Sequence, residues 1–344
     1  MKENYKAWQI DLNSFKELKT EVERLKFFLK FAVLAPSSHN SQPWLFSVSE
    51  NSIQVYRAKF RSLPIADVNN RQLFLSIGCA IEHIVIAAQY YGYSTNVEYK
   101  DDLINPNLAA IITFRKEEKK IQTIESLRYI QAILKRKTNR GKYKKEKILE
   151  NLLEKIEKLK TPNLNIYVIS DTEKISRLAD IAVQASIESM VDDNFRLELS
   201  HHLKHNLTKS KIGMPGFSLG LPTLVSFLLP HLMKQFNLER VAQKQNEKLF
   251  KKHTPYIVIL TTNGDSRKDW LEAGRVFEQI TLTLTHDNIS VSPWGAPIQI
   301  GEFYRNIQKI LHTSFRPQMF FRVGYAQKKA RFSPRLIVED VLDK

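Results

Sequence analysis

Three short segments of this chain carry residue types whose spacing could do chemistry. The first is Pro36-Ser37-Ser38-His39-Asn40-Ser41-Gln42-Pro43-Trp44. Its prolines stiffen the backbone, and Ser37, Ser38, Asn40 and Gln42 can present hydrogen bonds at fixed points. Such a loop suits the polar edge of a planar heterocycle, and it would equally make an ordinary helix-ending turn. The second is Arg136-Lys137-Thr138-Asn139-Arg140. Three cations and a hydroxyl within five residues can surround a phosphate, arginine bidentately and threonine through one more bond. A solvated basic turn has the same composition. The third is Gly324-Tyr325 followed by Ser333-Pro334-Arg335, in which Arg335 alone could be surface charge.

Other signals carry less. Gly216-Phe217-Ser218-Leu219-Gly220 has the Gly-x-Ser-x-Gly spacing, but a nucleophile elbow needs a strand before it. Gly213-Met214-Pro215 breaks any strand there. His201 and His205 stand four residues apart, a spacing that can hold a metal. They lack the acidic companion of a hydrolytic zinc helix, so an exposed helix face explains them and no metal is expected. No glycine-rich phosphate loop occurs.

The elements that must position these segments follow from periodicity. Apolar residues at three and four spacing predict helices over 15–34, 72–91, 124–135, 145–160 and 270–286. A helix opened by Asp171 is expected to run to about 204. A Gly/Pro-rich loop over 206–222 precedes helices over 223–250, in two pieces around Pro230. Strands are expected at 44–49, 52–57, 96–99, 108–114, 164–169, 256–261 and 320–323. Two helices share a pattern: Gly78-x-x-x-Glu82-x-Ile84 and Gly274-x-x-x-Glu278-x-Ile280. Each sets a small residue one turn before a glutamate. The repeat predicts two related α/β halves, joined near 115–130 and packed as an internal pseudo-dimer, in an α+β fold.

Composition narrows the function classes. The formal charge is +16, and residues 115–160 hold 16 Lys/Arg against 7 Glu. Most of that run reads as a solvated helix face. No zinc-finger, RNA-motif or basic-zipper signature supports nucleic acid. The longest apolar run, Leu221 to Met233, is too short to span a bilayer. Residues 1–23 have no apolar core like that of a signal peptide. The single cysteine, Cys79, excludes an intrachain disulfide and fits a reducing compartment. These features predict a cytoplasmic protein without membrane or nucleic-acid partners.

Together the three segments resemble the nitroreductase superfamily of flavoproteins, and most closely its Acg-type branch, in which two nitroreductase-like halves are fused. Residues 36–44 match the family's Pro-Ser-Ser-x-Asn-x-Gln-Pro-Trp string in full. Residues 136–140 resemble its Arg-Arg-Ser/Thr-x-Arg phosphate motif, and Arg335 its late phosphate arginine. Asp67-x-x-x-Arg71-Gln72, Trp270-Leu271-x-Ala273-Gly274-Arg275 and Ser292-Pro293 are also similar to that branch. The likeness runs from about residue 20 to the C-terminus, with weak markers over 145–250. It implies halves at 1–120 and 121–344, the second with a lid-like insertion near 206–222. It implies FMN as cofactor, NADH or NADPH as electron donor, and an oxidoreductase passing electrons from flavin N5 to a nitroaromatic or quinone. The protein would supply no catalytic residue of its own. Arg136, Thr138, Arg140 and Arg335 would hold the phosphate, and Ser37, Ser38, Asn40, Gln42 and Arg71 would bind from the first half. Ser292 and Trp294 would flank the ring from the second. The loop occurs once and the cluster once, so one flavin per monomeric chain is expected. A flavin-sequestering protein without turnover is the alternative.

Overall fold

A computed structural model describes residues 2–101, 104–118, 123–235 and 239–343. The expected junction between halves, at 120/121, lies outside them. On its N-terminal side stand α1 (Glu21–Ala32), β1 (Trp44–Val48), β2 (Ser52–Arg57), α2 (Arg71–Tyr90), β3 (Tyr93–Tyr99) and β4 (Leu108–Lys116). On the other side come α3 (Ile124–Lys135), α4 (Glu150–Glu157), β5 (Leu164–Ile169), α5 (Thr172–Val191), α6 (Asp193–His202), β6 (Leu203–Lys204), β7 (Met214–Pro215), α7 (Thr223–Gln235) and α8 (Glu239–His253). The chain closes with β8 (Tyr256–Thr262), α9 (Arg267–His286), β9 (Ser290–Pro293), α10 (Ala296–Gln299), α11 (Phe303–Leu311) and β10 (Arg316–Gly324).

Two four-stranded antiparallel sheets result, ordered β1-β2-β4-β3 and β5-β8-β10-β9. These are the same order. In each, a twenty-residue helix follows the second strand, α2 in one and α9 in the other. The second half differs by inserting α5 to α8 between its first two strands. The internal duplication is therefore visible in topology as well as in the paired glycine–glutamate pattern.

The two long helices cross at the repeated glycines. A Cβ on Gly78 would stand 2.2 Å from the Leu271 carbonyl oxygen, and one on Gly274 would stand 2.1 Å from that of Leu75. Only glycine lets the backbones approach so closely. One turn on, the repeated glutamates have different partners. Glu82 accepts from Arg275 Nε and Gln279 Nε2, both at 2.7 Å. Glu278, fully buried, meets His83 Nε2 at 2.8 Å and Arg136 Nε at 3.4 Å. The halves interlock further at the tail, where Phe46 N donates to Val341 O and Asp343 N to Phe46 O, both 2.8 Å. Helix α2 is long and apolar enough to cross a membrane, but most of it is buried in this core.

Several boundaries differ from the periodicity. The first helix begins at Glu21, because Thr20 and Glu23 form a capping box; residues 12–17 are a separate 3₁₀ turn. The helix expected over 145–160 shortens to α4, with Ile148 buried ahead of it and Leu149 exposed. The long helix from 171 divides at Asp192, whose carboxylate accepts from Asn194 N and so starts α6. Pro230 does not divide α7, which continues through it; the break before α8 falls on residues outside the described set.

Candidate functional site

The segments singled out by residue type converge on a cavity of about 270 Å³ between the halves. Its first-half wall is Pro36, Ser37, Ser38 and His39, with Arg71, Gln72, Ser76 and Cys79 from the start of α2. The second half supplies Thr138, Arg140, Trp294, Gly295 and the β10 stretch Gln318 to Phe320. The inserted helices and loop close it with Ser189, Phe195, Met214 and Leu219.

The loop's backbone is unusual. His39, Asn40 and Gln42 all have positive φ, at 50°, 55° and 51°, a region that side-chain-bearing residues seldom occupy. Surrounding bonds hold it there. Ser37 Oγ accepts from Gln42 N at 2.9 Å. Asn40 Nδ2 donates to Gly213 O and Pro334 O, each 3.0 Å, while its Oδ1 accepts from Arg335 Nη1 at 2.5 Å. Gln42 donates to Lys211 O at 2.7 Å and accepts from Leu336 N at 2.8 Å. Asn40 and Gln42 thus tie the loop to the 211–213 segment and to the chain's tail, and they are not among the cavity's lining residues. Strain held by such over-determination is a mark of functional sites.

A polar chain links the halves along one wall. Ser38 Oγ meets Gln72 Oε1, and Gln72 Nε2 meets Gln299 Oε1. Gln299 Nε2 donates to Asp67 at 3.0 Å, and Asp67 also accepts from the backbone of Gln72 and Leu73. Burial pushes the Asp67 carboxyl above its ordinary range despite these bonds. Arg71 donates to Gln318 O at 2.5 Å, and burial lowers its guanidinium to about 10.

Arg140 stands apart from every other cation here. It lines the cavity with no hydrogen bond or ion pair among the described residues, and burial pulls its guanidinium below the ordinary range. A desolvated, uncompensated cation is costly, and an anion in the cavity would offset that cost. Thr138 is its neighbour in the wall, fixed by a bridge to Val291. Behind them lie Arg136 and Arg335, both buried and both outside the lining. Each donates to the Leu34 carbonyl, at 3.3 and 3.4 Å. Burial, then the charge of Arg136, lowers Arg335 to about 9. Ser292 is buried on β9, also outside the lining. Trp294 lines the cavity and donates Nε1 to Ser186 Oγ at 2.9 Å.

His39, Cys79, Phe277 and Phe195 also line the site and were not foreseen. His39 occupies the variable place in its motif, and Phe195 returns from a remote helix with no local signal. Ser218 donates to Pro215 O at 2.7 Å within a 3₁₀ turn, with no strand-to-helix elbow around it. His205 stacks on Phe227 with ring centroids 4.4 Å apart.

His39 yields a pH prediction. Burial first, then the charges of His202 and Arg140, hold its imidazole down at about 3. An unfolded histidine titrates near 6.5. Between those values the unfolded chain binds the extra proton, so stability falls as pH drops from 6.5 toward 3. The slope is about 1.4 kcal/mol per pH unit. Thermal melts of flavin-free protein should show it, and His39→Gln should flatten it. An unchanged slope in the variant would refute the assignment.

No family model matches the chain. It is similar to a candidate NAD(P)H nitroreductase of Mycobacterium tuberculosis, 24% identical over 308 residues, 89% of this chain and 86% of that one. It is also similar to the candidate NAD(P)H nitroreductase Acg of the same organism, 22% identical over 326 residues, 92% and 94% of the two chains. Among solved structures, the FMN-dependent nitroreductase NfnB from Mycobacterium smegmatis, in complex with NADPH, overlays 64% of this chain and 99% of its own, at 14% identity and a TM-score of 0.43. An overlay at that score fixes no residue correspondence.

Proposed function

We propose, from this chain's similarity to Acg-type relatives of the nitroreductases over nine-tenths of its length, that it is an FMN-dependent oxidoreductase with one flavin site. The unpartnered Arg140 in the wall of the inter-half cavity carries the reading. When bound there, the flavin would supply hydride chemistry at N5, taking two electrons from NADH or NADPH and passing them to a nitroaromatic or quinone.

The residues present fit such a group. Arg140 and Thr138 offer charge and a hydroxyl to the phosphate, with Arg136 and Arg335 behind them adding positive potential. Ser37, Ser38 and Arg71 offer polar edges from the first half. Phe277, Trp294 and Met319 offer apolar surface to a flat ring. The loop at 36–44 and the cluster at 136–140 each occur once in the sequence, with no counterpart in the other half. That supports a single site in a monomer divided at 1–120 and 121–344, with the second half carrying the lid. The one buried cysteine is in keeping with a cytoplasmic setting.

The cavity's size favours a second reading. At about 270 Å³ it lies just below the usual range of ligand sites, roughly 300 to 1,000 Å³. A flavin would fill it, and an acceptor would enter only if Phe195, Met214 and Leu219 moved. Without that movement the protein would sequester flavin. A visible spectrum of the purified protein, then anaerobic NADPH, separates these. Twin flavin bands that bleach support the oxidoreductase, and bands that persist support sequestration. A colourless protein that takes up no FMN would overturn both.

A further inference from the structure

We propose that the rim of this cavity carries a second anion site, built from Lys137, Lys329 and Arg331, that takes the 2′-phosphate of a phosphorylated nicotinamide dinucleotide and selects NADPH over NADH. The proposal rests on the oxidoreductase reading for its purpose, but not for its geometry. Lys137 directly precedes Thr138, which lines the cavity. Arg331 lies with its guanidinium carbon 4.1 Å over the ring of Phe217, two residues from the lining residue Leu219. The cations themselves do not line the cavity; they adjoin two segments that do, at Thr138 on the phosphate-cluster side and at Leu219 on the lid side.

Its charges are uncompensated. Among the described residues none of the three cations is in an ion pair. Burial, then the charge of Lys329, pulls the Lys137 ammonium below its ordinary range. Two like charges are thus brought together with no carboxylate between them, an arrangement a phosphate dianion would relieve. The segment is held in place, since Asn139 Nδ2 donates to Lys328 O at 2.8 Å. Lys137 Nζ sits 4.1 Å over Phe332, whose ring meets Trp8 at 4.3 Å. These half-buried rings offer a purine an apolar surface beside the cations. Lys329 and Arg331 are exposed, so replacing them leaves the fold intact.

Calorimetric titration with 2′,5′-ADP and with 5′-AMP tests this without turnover. The protein should bind 2′,5′-ADP about tenfold or more tightly than 5′-AMP, a difference of one charge-assisted contact. Lys329→Ala with Arg331→Ala should erase that difference while leaving the flavin absorbance unchanged. Equal binding of the two nucleotides, no binding of either, or a variant that still discriminates would each overturn the proposal. Discrimination in a protein that holds no flavin would uphold this site and sink the oxidoreductase reading. With flavin present, the variant should raise the KM for NADPH and leave that for NADH unchanged.

Discussion

Arg140→Ala is expected to give a well-folded protein that loses its flavin on dilution. Among the described residues the side chain makes no hydrogen bond or ion pair, so its removal breaks none of these. It deletes instead a desolvated charge, and flavin-free protein should melt no lower than before. The phosphate loses a charge-assisted, bidentate partner, worth about 1.5–3 kcal/mol. That is roughly a ten- to hundredfold rise in the FMN dissociation constant. Arg136→Ala should behave differently. It leaves the carboxylate of Glu278 in the core with only His83, and breaking a buried pair costs about 3–5 kcal/mol. The double variant should then hold no flavin at all. Absorbance ratios after gel filtration and melts of flavin-free protein read both effects. Full flavin retention in Arg140→Ala would remove the phosphate assignment.

Much of this site was legible before the fold was known, because local chemistry carried it. The loop at 36–44 and the cluster at 136–140 announce themselves through proline stiffness and charge density, which need no tertiary context. Their convergence follows from the duplicated glycine–glutamate pattern, since two related halves packed through α2 and α9 bring the end of α1 near the end of α3. The division of labour inside each segment was not legible. Asn40 and Gln42 look like ligand contacts by type, yet their amides are spent on Gly213, Lys211, Pro334 and Leu336. Nothing local shows that remote segments will run beside them. Likewise Arg136 and Arg140 read alike, and only packing decides that one meets Glu278 while the other faces open space. The helix boundaries failed for a related reason. Periodicity reports a face, whereas Thr20 and Asp192 set the ends through single side-chain caps.

Gly274→Val is expected to prevent folding, and Gly274→Ala to weaken it severely. An added Cβ would stand 2.1 Å from the Leu75 carbonyl oxygen and 3.0 Å from its Cα. Both are backbone atoms of a buried helix, so no rotamer change can relieve the contact. Helices α2 and α9 would have to part, loosening the bonds that cross them: Cys79 Sγ to Gly274 O at 3.3 Å and Arg275 to Glu82 at 2.7 Å. Overpacking a core costs about 1–3 kcal/mol where side chains can adjust, and here they cannot. Against a total stability of about 5–15 kcal/mol, alanine should lower the melting point by many degrees and valine should leave insoluble chain. Gly220→Ala is the control. It has open space around it and a φ of +75°, so alanine there bears only backbone strain, about 1–2 kcal/mol. The pseudo-twofold sharpens the test further. Gly78 meets Leu271 as Gly274 meets Leu75, so Gly78→Ala should cost nearly as much as Gly274→Ala. Both should also loosen FMN, because the halves they push apart are the two walls of its cavity. A severe loss at one glycine with none at the other would show that the duplicated helices do not share the crossing equally.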